Sequence, residues 1–573
     1  MGHIISKKID GSTYYYYVES KSINGKPRNV NQTYLGTAAK ILEKANKRAN
    51  GPNNSLQNLA LYSVEYDYGM VTLLHDLAKR LNLVGLIDSF VPQRRQGASV
   101  GTYILTAAIN MVVAPTSTSE LEDWCQKTYL PCLTDLKATD FTAQNFWNKA
   151  KKIDEETLEA IEDEITSKIL RFYNNIDVSN IIYDATNLFT YIDPKPESDL
   201  TKRGPYKSKR NDLRLDGLSL MVSPDYSIPL IHENYPGNMN DAKGFVYMVE
   251  RLKYRFKALT GGKDTSVTMV FDPGSDSEEN IKTLISGDNP FHYVGGLKKG
   301  QAPELWAIPK EDYLPLQGAG FAGQSAYRLM IEVFGHRATG LIVHNPKLEA
   351  GQLQGIRHNI NKTRIKLTEL HERLMKRARG ETVKGKKPTI DSLNKSVDDI
   401  LKIKYMKDIF ECDIFEKDNN IYLNFCASDS ALERIRHDIL GKTVFFTDRA
   451  DFSNEEIIGV YRSARPIERA FRQMKDTKRL TTGPMFHWTD QMVKIHLFTC
   501  VLAYRMGCLL VKELTEQGLP ISINELIEKM SEVKKIETFF GDPDNPKKVQ
   551  TYTLGSEFAQ QALSLYQLPQ KYF

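Results

Sequence analysis

Cysteine is scarce and unpatterned. The 573-residue chain has six, Cys125, Cys132, Cys412, Cys426, Cys500 and Cys508, with no C-x-x-C pair among them. That excludes a zinc knuckle or a disulfide framework and fits a reducing compartment. The start, Met1 to Lys8, lacks an apolar signal core, and the longest near-apolar run, Ile104 to Ala114, is too short to span a bilayer. Neither secretion nor membrane insertion is expected. Net charge is also nearly missing: 76 Lys and Arg against 71 Asp and Glu leave +5, a total that does not mark a nucleic-acid binder.

What is present is an ordinary globular balance, 41% apolar and 26% charged, in a chain long enough for three or four domains. Residues 1–60 hold a β-hairpin: Tyr14 to Val18 and Val30 to Leu35 flank the Asn24-Gly25 reversal. Four consecutive tyrosines, Tyr14 to Tyr17, read either as an aromatic platform or, more simply, as a strand pointing two rings each way. Residues 61–175 are helical, with Leu74, Leu77 and Leu81 at helical spacing and Leu158, Ile161, Ile165 and Ile169 behind an Asp154 cap. The acidic stretch Asp154 to Glu164 is predicted to be a solvated face.

From 176 to 325 the pattern alternates β-β-β-α-β-α-β, with Asp184 at the end of the first strand and Asp272 at the end of Val267 to Phe271. Residues 326–446 read as a β-rich insertion carrying an αα-hairpin, because Leu353 to Leu374 and Ile390 to Ile400 keep a 3,4 rhythm on either side of Gly380, Gly385 and Pro388. Residues 447–530 return to the core, and 531–573 form a C-terminal tail region. Leu497 to Leu510 is predicted to be a core helix whose thiols are inert. For His487 and Trp488, packing and a contact with DNA are both open readings.

Three acids carry the chemistry. In an α/β sheet ligands collect at the carboxyl ends of strands, where Asp184 and Asp272 lie. Glu468 sits in Tyr461 to Lys475. On one helix, Tyr461, Arg465, Glu468, Arg472 and Lys475 would share a face, with Ile467, Phe471 and Met474 buried. Carboxylates so placed suit hard divalent cations, and the neighbouring cations suit phosphate.

The ordered set Tyr183-Asp184-Ala185-Thr186-Asn187, Lys209 to Arg214, Tyr235-Pro236-Gly237-Asn238, Asp272-Pro273-Gly274 and Tyr461 to Lys475 resembles the DDE transposases of bacterial and archaeal insertion sequences. Within them it is similar to the insertion sequence four group, which carries a β-rich insertion before the glutamate. The resemblance implies an α/β ribonuclease H-like catalytic core, with Asp184, Asp272 and Glu468 as a triad holding two Mg²⁺ ions, Mn²⁺ substituting. It implies a helical DNA-binding region at 61–175, terminal inverted repeats and target DNA as partners, a homodimer in the synaptic complex, and a cytoplasmic, nucleoid-associated protein. Tyr461, Glu468 and Lys475 match the signature around the glutamate, whereas its arginine position holds Ala464, with Arg465 one residue later. Pro205 and Pro273 are further departures. They motivate the alternative of a domesticated DNA-binding protein that keeps the scaffold without turnover.

The weak total charge hides concentrated segments. Lys202 to Arg214, Lys376 to Lys387 and Arg462 to Arg479 each carry a net +5, leaving the remainder of the chain acidic. Tyr461, Arg465, Arg472 and Lys475, with Lys209, Arg210, Arg214, Lys384, Lys386 and Lys387, are the expected DNA contacts, since phosphate binding needs local charge rather than a basic average.

Overall fold

Short runs rich in β-branched and aromatic residues become the strands of a nine-stranded sheet around which the chain is arranged. The computed structural model describes residues 2–9, 12–23, 26–41, 60–92, 97–191, 197–204, 212–239, 241–259, 266–274, 276–287, 290–381, 388–475, 482–483, 485–542 and 545–566.

At the N-terminus, Gly2–Ile9 (β1), Ser12–Ile23 (β2) and Lys26–Gly36 (β3) form an antiparallel sheet. The predicted hairpin is β2–β3, and β1 adds a strand that alternation alone did not show. Tyr14 and Tyr16 lie against Tyr34, with ring centroids 6.1 and 5.3 Å away. Tyr15 is buried, and its hydroxyl donates to Glu65 at 3.3 Å, on Ala60–Asp67 (β4).

The helices Gly69–Arg80 (α1), Val100–Val113 (α2) and Glu155–Phe172 (α3) follow. As predicted, Asp154 caps α3, its carboxylate accepting from Thr157 N at 2.8 Å. Next come Asn180–Thr190 (β5), Arg214–Val222 (β6), Pro229–Pro236 (β7), Asp241–Leu259 (α4), Thr268–Phe271 (β8), Glu278–Ile285 (α5) and His292–Leu297 (β9), in the predicted alternation. Beyond these lie Leu314–Pro315 (β10), Ser325–Val333 (β11), His336–His344 (β12), Pro346–Ala378 (α6), Ile390–Leu401 (α7), Phe410–Lys417 (β13), Asn420–Ala427 (β14) and Lys442–Thr447 (β15). The chain closes with Asn454–Arg462 (α8), Arg465–Met474 (α9), Asp490–Glu516 (α10), Lys534–Asp542 (β16), Asn545–Leu554 (β17) and Glu557–Tyr566 (α11).

The large sheet has the order β10-β11-β12-β15-β9-β8-β5-β6-β7. β5, β8 and β9 are mutually parallel, and every other neighbouring pair is antiparallel. The strands and the two long helices expected at 326–446 are present. Of these, the strands β11, β12 and β15 extend the central sheet, because their apolar faces complete clusters that β9 already began. What stands apart is the segment from α6 to the strand pair β13–β14, held by its own cluster around Leu367, Leu393, Leu423 and Met406.

The helical region is not an independent body either. α1 and α2 pack on α10, and one continuous cluster runs from Leu74 and Ile109 through Leu502 to Ile182 and Val270 of the sheet. α10 is long and apolar enough to cross a bilayer, yet 89% of that stretch is buried inside the protein. Its Cys500 and Cys508 thiols are pushed up to about 12 by burial. The tail region is likewise structured: β16 pairs with β4 on one side and β17 on the other.

The predicted solvated face of α3 is corrected, since Glu162 turns inward and is 2% exposed. Its carboxylate meets His232 Nδ1 at 2.5 Å, Arg255 at 2.7 Å and Arg505 at 3.1 Å. Arg255 also donates to Asp163 at 2.6 Å and Glu233 at 2.8 Å. Burial opposes the ionised form of Glu162, but His232, Arg255 and Arg505 outweigh it and hold the carboxyl below the usual range. α3 is thereby joined to β7, α4 and α10.

Replacing Glu162 by Ala leaves Arg255 and Arg505 buried without their shared anion and is expected to cost about 3–5 kcal/mol in denaturant unfolding. Because the folded-state pKa is depressed, this contribution is present above the ordinary carboxyl range and is lost as pH falls through it. Glu162→Gln should therefore flatten the acid limb of the stability profile.

Candidate active site

β5 and β8 set the position of two acids. Asn180 lies opposite Thr268, Ile181 opposite Met269 and Ile182 opposite Val270 in parallel pairing. Continuing that register brings Asp184 level with Asp272, the first residue beyond β8. Side chains alternate along a strand, so Ile182, Asp184, Thr186 and Leu188 share one face, as do Val270 and Asp272. Ile182, Leu188 and Val270 pack with Ile467, Phe471 and Met474 of α9, whereas Ile181, Tyr183, Met269 and Phe271 belong to the opposite cluster. Asp184 lies within β5, which runs on to Thr190 instead of ending at the acid as expected because β6 continues to pair with it, and Asp272 follows the last residue of β8; both are on the face that α9 covers. Asp184 is half-buried, with Oδ1 accepting from Ala185 N at 2.8 Å, and Asp272 is exposed.

α9 carries Glu468, Arg472 and, at its C-cap, Lys475, all exposed, above the buried Ile467, Ala470, Phe471 and Met474. Lys475 Nζ donates to Thr186 Oγ1, tying the end of this helix to the strand of Asp184, two residues beyond it. Thr482 closes the helix from below, its N and Oγ1 donating to Met474 O at 2.7 and 2.9 Å.

The single helix predicted over Tyr461 to Lys475 is two. α8 ends at Arg462 and α9 begins at Arg465, with Pro466 in its first turn. Proline has no N–H to continue the ladder, and its ring clashes with the carbonyl four residues back. Tyr461 therefore leaves the Glu468 face. Its ring packs on Phe445, centroid to centroid 4.6 Å. A Cβ at Gly296 would lie 2.7 Å from the Tyr461 hydroxyl and 3.0 Å from Pro273 Cγ, so both side chains occupy the space that Gly296 leaves open.

The expected DNA contacts are dispersed. Arg214 is half-buried on β6 opposite Thr190, about 20 Å along β5 from Asp184. Lys209, Arg210, Lys384, Lys386 and Lys387, and the side chain of Arg465, lie outside the described residues. Trp488 is 64% exposed, while His487 is packed between Trp147 and His496 and burial, with His496 adding to it, pushes its pKa down to about 3. Among the described residues, no three His, Cys, Asp or Glu side chains stand close enough to share a metal ion. A cavity of about 300 Å³ lies beside the Glu162 cluster and is lined by none of the three candidate acids.

One acid escaped the sequence reading. Asp276 precedes the Ser277 cap of α5, and both its carboxylate oxygens are enclosed without a hydrogen-bond partner. Burial pushes its pKa up to about 8, with Lys298 and Gln301 pulling it down and the negative charge of Asp272 adding to the rise. The only local signal was an acid four residues after Asp272, immediately before a helix cap.

No family model matches the chain, and no curated protein does. Among solved structures, the cryo-EM structure of a piggyBac transposase synaptic complex with hairpin DNA aligns with 80% of this chain and 79% of that one. The identity is 9% and the TM-score 0.35, too loose a likeness to bear on fold or function.

Asp276 generates a prediction of its own. A carboxyl whose folded-state pKa is raised contributes its full stability below the unfolded value and loses it as pH rises through the folded one. Asp276→Asn should therefore be close to neutral near about pH 4 and raise stability increasingly up to about pH 9, read by denaturant midpoints across that range.

Proposed function

We propose that the protein is a DNA transposase of the DDE kind, built on a ribonuclease H-like core, that acts on the terminal inverted repeats of an insertion sequence. The observation that carries this reading is the shared edge: Asp184 and Asp272 in register on neighbouring parallel strands, under a helix that presents Glu468 and is tied to the first strand through Lys475 and Thr186. The order β7-β6-β5-β8-β9, with β5, β8 and β9 parallel, supports the core assignment.

Asp184, Asp272 and Glu468 would hold Mg²⁺. All three are hard carboxylates at least partly open to solvent, a donor chemistry suited to that ion, although in this structure they do not stand close enough together to share one. Bound there, the ions supply Lewis acidity to the attacking and leaving oxygens of an in-line displacement. The chain's own groups position the substrate. Arg472 offers its guanidinium to backbone phosphate on the exposed side of α9, and Lys475 holds α9 against β5 so that Glu468 keeps its place over the strand ends.

The chemistry is two successive displacements. Water attacks the phosphorus at the element end, the P–O3′ bond breaks, and a 3′-hydroxyl is released. That hydroxyl then attacks a target phosphodiester, forming a new P–O bond and expelling the target's own 3′ oxygen. Two such ends imply a second copy of the chain in the working complex, and DNA as a partner places the protein in the cytoplasm with the nucleoid.

Asp184→Asn, Asp272→Asn and Glu468→Gln are each expected to lower Mg²⁺-dependent end cleavage by about 100-fold or more while leaving DNA binding intact. The assay joins the DNA flanking the reading frame to a target plasmid. Variants as active as the parent would end the assignment, and a parent that binds without cleaving would leave the binding-only alternative.

A further inference from the structure

The strand directions put the start of α6 on the same edge as the acids. β12 is antiparallel to β15, which is antiparallel to β9, so β12 runs parallel to β9, β8 and β5. Phe271 faces Gly295, Leu297 faces Val444 and Lys442 faces His344, so the carboxyl ends of β8, β9 and β12 lie on the same side of the sheet, each two residues farther out than the last. From Asp184 on β5, four strand spacings along it span about 19 Å. Asn345, the cap of α6, therefore opens from the edge on which Asp184 and Asp272 lie.

α6 is 33 residues long, which makes about 50 Å of helix. Its first turn is tied to the sheet through Glu349, which meets His344 at 2.7 Å and Lys310 and Arg436 at 2.8 Å, and its further length packs on α7, β14 and the short helix Met406–Ile409 within its own cluster. Leu353, Ile356, Ile360, Thr363, Leu367, Leu370 and Leu374 face inward. Lys362, Lys366, Arg373 and Lys376 follow one another at steps of 4, 7 and 3, so they share a flank of the helix, and all four are exposed. None of them has a carboxylate within ion-pairing distance among the described residues. Arg373 donates only to the Glu369 carbonyl, at 3.3 Å, and Glu369 is the single acid in the flank. The exposed apolar residue beside it is Ile365, too little surface to seat a protein partner.

We infer that this flank of α6 is a second track for duplex DNA, contacting backbone phosphates beyond the segment held at the acids. The inference rests on the proposed function and deepens it by giving the insertion a role in DNA path. Four cations over about 21 Å of helix face a length of duplex that carries about 12 phosphate charges, at one per roughly 1.7 Å of axis, so each has a phosphate within reach. The contacts would be independent of base sequence, because exposed lysine and arginine ammonium and guanidinium groups reach phosphate rather than base edges.

The test compares the parent with K362Q/K366Q/R373Q/K376Q on fluorescent duplexes of about 12 and about 40 base pairs, over a salt series. The parent is expected to bind the long duplex more tightly and with a steeper salt dependence than the short one. The variant should lose about tenfold or more on the long duplex alone, its salt slope falling by about 3 to 4, the counterions of four phosphates. The charge-preserving K362R/K366R/R373K/K376R should behave as the parent, and matching thermal unfolding of all three proteins removes misfolding as the cause. Equal affinities and slopes for parent and glutamine variant would overturn the track while leaving the transposase reading intact. Loss of binding to anionic phosphatidylserine vesicles, with DNA binding unchanged, would overturn it in favour of a membrane. A parent that binds neither duplex would instead bring down the proposed function.

Discussion

A buried charge must be matched where it sits, and the carboxylate of Glu162 is the one on which this structure depends. With His232, Arg255 and Arg505 around it, it draws together β7, α3, α4 and α10, four elements far apart in sequence. Separating any of them would leave an ion in a medium that cannot solvate it, a cost far above that of losing a surface ion pair. The helical region is for that reason a fixed wall of the sheet rather than a tethered domain, and the apolar cluster that runs through α10 into β5 and β8 is sealed behind it.

The candidate site inherits this rigidity at its other end. Asp184 and Asp272 each follow by two residues the last pair of the parallel ladder, Ile182 with Val270, which sets their level. Glu468 comes from an element held differently, by the buried Ile467, Phe471 and Met474 and by the Lys475–Thr186 hydrogen bond. Two acids on strands and one on a packed helix give a site whose spacing is set by the thickness of one helix–sheet layer. Asp276, enclosed just beyond Asp272, is held largely in its neutral form by burial.

Two prolines bear on the geometry around the candidate site. Pro466 divides the expected helix, which turns Tyr461 from the Glu468 face into the packing around Phe445. Pro273 fills the space beside Gly296 that Tyr461 also borders.

Residue chemistry and local period were legible in the sequence. The Asp154 cap, the buried helix around Leu497 to Leu510, the strand that ends just before Asp272 and the β2–β3 hairpin all follow from spacings of a few residues, within which backbone geometry decides the outcome, whereas β5 runs on past Asp184 to Thr190. Tertiary structure alone decided which strand pairs with which. The joining of β11, β12 and β15 to the central sheet, and of β16 to β4, depends on hydrogen bonds between segments far apart in the chain, and no local pattern encodes their partner. It also decided that Glu162, one acid among many on a helix that reads as solvated, turns inward, because only the folded molecule brings Arg255 and Arg505 to meet it.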